Sequence, residues 1–188
     1  IRLGNTLGSD GENLPQADIV ATNPPFGSAA GTNITRTFVH PTSNKQLCFM
    51  QHIIETLRPG GRAAVVVPDN VLFEGGKGTD IRRDLMDKCH LHTILRLPTG
   101  IFYAQGVKTN VLFFTKGTVA NPNQDKNCTD DVWVYDLRTN MPSFGKRTPF
   151  TEQHLQPFET VYGEDPHGLS PRTEGEWSFN AEESEVAD

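Results

Sequence analysis

Cysteine is scarce in this chain. Three cysteines, Cys48, Cys89 and Cys128, stand among 188 residues. The number is odd and the spacing is not that of a metal site, so a disulfide framework and a zinc knuckle are both excluded. They read as reduced cytosolic thiols, with Cys48 and Cys89 as core filler on helices. The six histidines do not cluster, and no metal is expected. No apolar run approaches the roughly 20 residues of a membrane-spanning helix. No secretory signal opens the chain. A cytoplasmic protein without a membrane partner is expected. An initiator methionine is also missing, and Ile1 to Leu7 reads as a strand running into a loop. The chain is therefore expected to be an excised piece. Near its start it has no Gly-x-Gly segment that follows a strand and opens a helix. Gly75-Gly76-Lys77-Gly78 precedes a helix but follows a polar turn, and reads as a helix-entry loop.

The length suits one domain with an appendage. The net charge of −6 is unevenly spread. Residues 1–119 hold 12 Lys and Arg against 9 Asp and Glu, a balance of +3, whereas residues 120–188 hold 5 against 14, a balance of −9. The first part could face a phosphate backbone and the second could not. The expected division is a catalytic part over 1–119 and an acidic C-terminal extension over 120–188.

Hydrophobic patterning predicts an α/β fold with a mainly parallel sheet. Strands are expected near 18–22, 62–67, 93–97, 110–116 and 132–137, with helices near 45–58 and 79–90 and a short one from Thr151 to Tyr162. The continuous run Ala63 to Val67 predicts a strand covered on both faces. The connection from 98 to 108 is too short for a parallel crossover, so the 110–116 strand should run antiparallel to its neighbour. Residues 27–44 lack periodicity and contain Arg36, Phe38 and His40. They form either a loop that closes over a substrate or a plain surface loop. A charged tail broken by Gly and Pro, ending in Glu182-Glu183-Ser184-Glu185, is expected to be mobile at its end.

The chain's chemistry centres on Ala21-Thr22-Asn23-Pro24-Pro25-Phe26-Gly27, directly after the apolar run Ala17 to Val20. Two prolines cannot continue a central strand, so the strand stops and a rigid turn begins at Asn23. The turn fixes an amide, a proline carbonyl and an aromatic ring at a strand's carboxyl end, where open α/β sheets bind ligands. Asn-Pro-Pro-Phe resembles the signature of amino-methyltransferases that use S-adenosylmethionine. An exocyclic amine is a poor nucleophile because its lone pair is delocalised into the ring. The Asn23 side-chain oxygen and the Pro24 carbonyl can accept its two hydrogens and return density to nitrogen, a preorganised electrostatic effect. Pro25 makes the turn rigid, and Phe26 can stack on a base flipped out of the duplex. The other reading is a strand-ending turn with an Asn cap and a core Phe.

Several ordered stretches resemble one family, the modification subunits of type I restriction–modification systems. They are Ile1 to Leu7, Ala21 to Gly27, Leu57-Arg58-Pro59-Gly60-Gly61-Arg62 and Gly106 to Phe114, with Asp136-Leu137-Arg138-Thr139-Asn140 similar to the downstream segment. The resemblance implies a Rossmann-like methyltransferase sheet, here incomplete, mainly parallel with one antiparallel strand. It implies methyl transfer from S-adenosylmethionine to N6 of a flipped adenine in duplex DNA, beside a specificity and a restriction subunit. It assigns catalysis to Asn23, Pro24, Pro25 and Phe26. Asn5 matches a cofactor-contacting position and equally suits a turn after Gly4. Phe102 is either a second ring against the base or a buried loop anchor, and Lys108 either meets phosphate or is solvated.

The family's glycine-rich cofactor loop precedes the region that this chain matches. The isolated piece is therefore expected to fold but to methylate poorly. An open sheet edge beside the Asn-Pro-Pro-Phe strand is expected to invite pairing with another chain. Two alternatives stand: an RNA or protein-glutamine methyltransferase, or a non-catalytic assembly module.

Overall fold

A computed structural model describes residues 3–27, 34–102, 106–139, 141–172, 174, 175 and 178–182. The expectations for Ile1 and Arg2, for the middle of the 27–44 loop, for Tyr103 and Asn140, and for the Glu183 to Glu185 tail fall outside these residues.

The elements in chain order are β1 (Ala17–Thr22), α1 (Lys45–Thr56), β2 (Leu57–Pro68), α2 (Asn70–Phe73), α3 (Lys77–Lys88), β3 (Cys89–Leu97), β4 (Thr109–Lys116), β5 (Asp131–Asp136), α4 (Gln156–Tyr162) and β6 (Ser178–Glu182). One sheet takes the order β1-β2-β4-β3-β5-β6. β1 and β2 are parallel, as are β3 and β5. β4 is antiparallel to both β2 and β3, as its short connection to β3 requires. β6 runs antiparallel to β5 and adds a second reversed strand to the one expected.

The alternation of side chains sends successive residues of the inner strands to different layers. Val65, Val67, Leu112, Phe114, Val132 and Val134 meet Leu47, Met50, Ile53, Ile81 and Leu85 of α1 and α3. On the opposite face Leu95, Leu97, Trp133, Tyr135 and Leu137 meet Phe158 of α4. In β3, Leu91 faces Phe114 and Thr93 faces Phe113, so His92 is the extra residue of a bulge. The bulge resets the parity, and Ile94 returns to the first layer while Leu95 joins the second.

Five expectations need correction. Cys89, expected on a helix, is the first residue of β3, because α3 ends at Lys88. Residues 3–7 form no strand; Thr6 and Leu7 lie in a turn. The asparagine and glycines there favour local turns over a ladder. The 151–162 stretch splits into a 3₁₀ turn at Glu152–His154 and α4, because Pro157 starts a new helix more readily than it continues one. β6 lies in the segment read as an unstructured tail, since a charged edge strand carries little apolar pattern. The helix expected to reach 58 ends at Thr56, and β2 begins at Leu57 with Pro59-Gly60-Gly61 bulging out within it. β1 pairs Ala17 with Leu57 and Ile19 with Arg62, skipping those residues, and Gly60 adopts φ +77°.

Candidate active site

The carboxyl ends of β1, β2, β3 and β5 share one edge of the sheet with the start of β4. Asn23 follows β1 directly. It is exposed, and its amide has no hydrogen-bond partner among the described residues. Pro24 is buried, Pro25 exposed and Phe26 half-buried. The two prolines thus hold the turn while leaving the Asn23 amide pointing free.

Phe26 lines a cleft of about 570 Å³ together with Asn44, Gln46, Pro68, Asn70 and Val107. That volume lies within the range of small-molecule sites. Phe102, 76 residues further on, comes to Phe26 with ring centroids 6.0 Å apart and planes at 84°. The perpendicular pair makes a corner with one ring face free to stack. The loop carrying Phe102 is fixed at Gly100, whose φ of +85° and backbone contact with Phe144 leave no room for a side chain.

Lys108 is exposed, and its carbonyl accepts from the Asp69 amide at 2.9 Å. Asn5 is exposed away from the cleft lining. Its side-chain oxygen accepts from Leu7 N at 3.1 Å, and its own amide donates to Asp10 at 2.9 Å. The structure therefore brings Asn23, Pro24, Phe26 and Phe102 to one edge and leaves Asn5 in a local turn.

Residues 34–44 are strapped to α1. Arg36 donates to His52 Nδ1 at 2.7 Å, pairs with Glu55 and lies over Phe38. Gln51 accepts from His40 N at 2.8 Å and donates to His40 O at 3.0 Å. Burial and the Arg36 charge push His52 down to about 4.

Sequence reasoning missed a polar cluster at the same edge. Asp69, at the end of β2, accepts from Asn110 Nδ2 at 2.8 Å and from both terminal nitrogens of Arg138, at 3.2 and 2.5 Å. Arg138 also donates to the carbonyls of Leu97 and Thr109, at 3.2 and 3.3 Å. Burial raises the Asp69 carboxyl's pKa, but the bonds from Arg138 and Asn110 and the charges of Arg138 and Arg96 outweigh it and hold it below the usual range. The cluster ties the ends of β2, β3, β4 and β5 together, and through the Asp69 amide it anchors the loop bearing Phe102 and Val107. The segment Asp136 to Asn140 carried the signal, but nothing in its spacing named a partner for Arg138. Among the described residues no group of His, Cys, Asp and Glu could hold a metal ion, and no helix is long and apolar enough to cross a membrane.

Residues 1–188 match the family described as N-6 DNA Methylase. The chain is 99% identical over all 188 residues to the type I restriction enzyme StySPI methylase subunit of Salmonella potsdam. It is 96% identical over the same length to the EcoKI methylase subunit of Escherichia coli K12. It covers 36% of each of these relatives, about a third of their length. The crystal structure of the EcoKI M protein superposes with a TM-score of 0.90 at 96% identity, over 94% of this chain and 36% of that one. By its whole-length match and its near-identical relatives, the chain belongs to the N-6 DNA methylase family.

Proposed function

We propose that this chain carries the target-base half of a site that transfers a methyl group to N6 of adenine in duplex DNA, within a type I restriction–modification complex. The free amide of Asn23, held at the strand end beside the Phe26 cleft, carries this reading. Its oxygen and the Pro24 carbonyl accept the two N6 hydrogens and raise electron density on nitrogen. Phe26 stacks on the flipped base, and Phe102 closes the corner against the base's edge. Lys108, exposed beside the cleft, meets a DNA phosphate.

The methyl donor in this reading is S-adenosylmethionine, which supplies an electrophilic methyl group. On this chain Asn23, unpartnered and exposed at the edge strand, fits a donor contact. Asn5 fits less well, because Leu7 N already engages its side-chain oxygen.

The matched relatives are type I methylase subunits, which motivates specificity and restriction subunits as partners and a cytoplasmic location with the DNA. β1 is the sheet's edge strand, with Ile19 60% exposed. Its free edge offers a ladder to another strand, whether from further residues of the same polypeptide or from a second copy. Residues 1–119 serve as the methyltransferase part and 120–188 as the acidic extension, a division of function, since β5 of the second part pairs with β3 of the first.

The test is Asn23→Ala in the intact modification enzyme. Methyl transfer should fall by about 10²-fold or more, while DNA affinity changes little because phosphate contacts dominate it. Wild-type turnover in that variant would reduce Asn23 to a turn residue.

A further inference from the structure

Gln46 is the second residue of α1 and lies on its cleft side. Only 6% of its surface is exposed, yet its side-chain amide has no hydrogen-bond partner among the described residues. Its polar atoms are not sealed in the core but open to the cleft, so a ligand that enters there meets an uncommitted amide. The residue lines the cleft that Phe26 lines.

The neighbouring amides are already committed. Glu74 Oε2 accepts from Asn44 Nδ2 at 2.7 Å and from Asn70 Nδ2 at 3.0 Å. A carboxylate only accepts, so both amides must turn their NH₂ groups toward it. The Asn44 oxygen then caps α1, taking the amides of Gln46 and Leu47 at 3.0 and 3.4 Å. The Asn70 oxygen remains an acceptor. Of the three amides in the cleft, Gln46 alone keeps a free NH₂ group.

A flipped adenine would bring a matching need. With its N6 hydrogens accepted by Asn23 and Pro24, the base still has two ring nitrogens flanking the amine, N1 on one side and N7 on the other. Each is an acceptor that loses water on entering the cleft. Glutamine and asparagine amides are the side chains that pair best with an adenine edge. We propose that Gln46 reads the target base, donating from Nε2 to the ring nitrogen that faces it. This role rests on the adenine reading given above.

The experiment uses the intact modification enzyme and three duplexes, with adenine, 7-deazaadenine or 1-deazaadenine at the target position. Each analogue replaces one ring nitrogen by C–H. The wild type should lose about tenfold in kcat/KM on one of the two analogues, the effect of one neutral hydrogen bond left unmade. Gln46→Leu should lose a similar factor on adenine and show no further loss on that analogue. Gln46→Glu, of the same size but without a donor, should behave like Gln46→Leu. The proposal is overturned if the wild type is indifferent to both analogues, or if the analogue penalty survives undiminished in either variant. Should both variants fail to fold, the wild-type profile across the three duplexes still decides. Failure of the adenine reading itself looks different: the wild type would not methylate the unmodified duplex.

Discussion

Asp69 and Asn70 are consecutive residues, yet they belong to opposite kinds of polar place. Asp69 joins a cluster in which the carboxylate, the Asn110 amide and the Arg138 guanidinium satisfy one another and the strand-end carbonyls of Leu97 and Thr109. Asn70 faces the cleft that Gln46 also lines, and the Gln46 amide there and the Asn23 amide beside it have no partner among the described residues. Satisfied groups hold a shape, because each would be left uncompensated if its partner went. Unsatisfied groups beside them give that shape something to bind. The fold places the rigid cluster directly under the open cleft.

The largest effect on stability should come from breaking the satisfied side. Arg138→Met strands the Asp69 carboxylate, whose side chain is 26% exposed, and should destabilise the protein by about 3 kcal/mol in urea denaturation. Arg138→Lys keeps the charge but not the fork, and should cost about half as much. Equal losses for both variants would mean that the fork's geometry, not its charge, ties the strand ends.

Taken group by group, acid should come next, and through other residues. Asp69 stays charged because its carboxyl is held low. His52 and His92 are the sensitive groups, pushed down to about 4 and about 3 by burial, with Arg36 adding for the first and His90 and Arg172 for the second. Both are neutral when folded, whereas the unfolded chain binds a proton at each below about pH 6.5. Stability is therefore full above pH 6.5 and falls as pH drops toward those lower values. At pH 5 the loss should be about 2 kcal/mol for each histidine. Urea midpoints that stay level between pH 7 and pH 5 would rule this out.

Smaller still should be the effect of emptying the open side. Gln46→Leu removes a buried amide that has no protein partner, and should leave stability within about 1 kcal/mol of wild type, on the favourable side. A loss of several kcal/mol would show that Gln46 is structural. The smallest change should come from Arg58→Ala. Its ion pair with Asp18 joins side chains 59% and 64% exposed, and should contribute less than about 0.5 kcal/mol.

Part of the site was legible in advance and part was not. The Pro24-Pro25 stop after an apolar strand announced the turn and its Asn23 amide. Phe102 read more readily as a loop anchor than as a second ring, because its nearness to Phe26 depends on how the β3–β4 loop returns to the edge. Gln46 did carry a signal: it lies on the stripe continued by Met50, Ile53 and Leu57, a polar residue where the helix faces inward. The pattern could not say whether a protein group or a ligand meets it. Arg138 stood in the Asp136 to Asn140 segment that carried a signal, but nothing there named its partner Asp69, 69 residues away.

The sequence by itself determined the α/β class, the reversed β4, the helices packed on the sheet and the Asn-Pro-Pro-Phe turn. Those features follow from local periodicity, proline chemistry and connection length. Tertiary structure alone decided the strand order, the β3 bulge that switches layers, the added β6 and the partners of Asp69 and Glu74. Each of these depends on which distant residues meet across the sheet, and pairings of that kind leave no periodic trace along the chain.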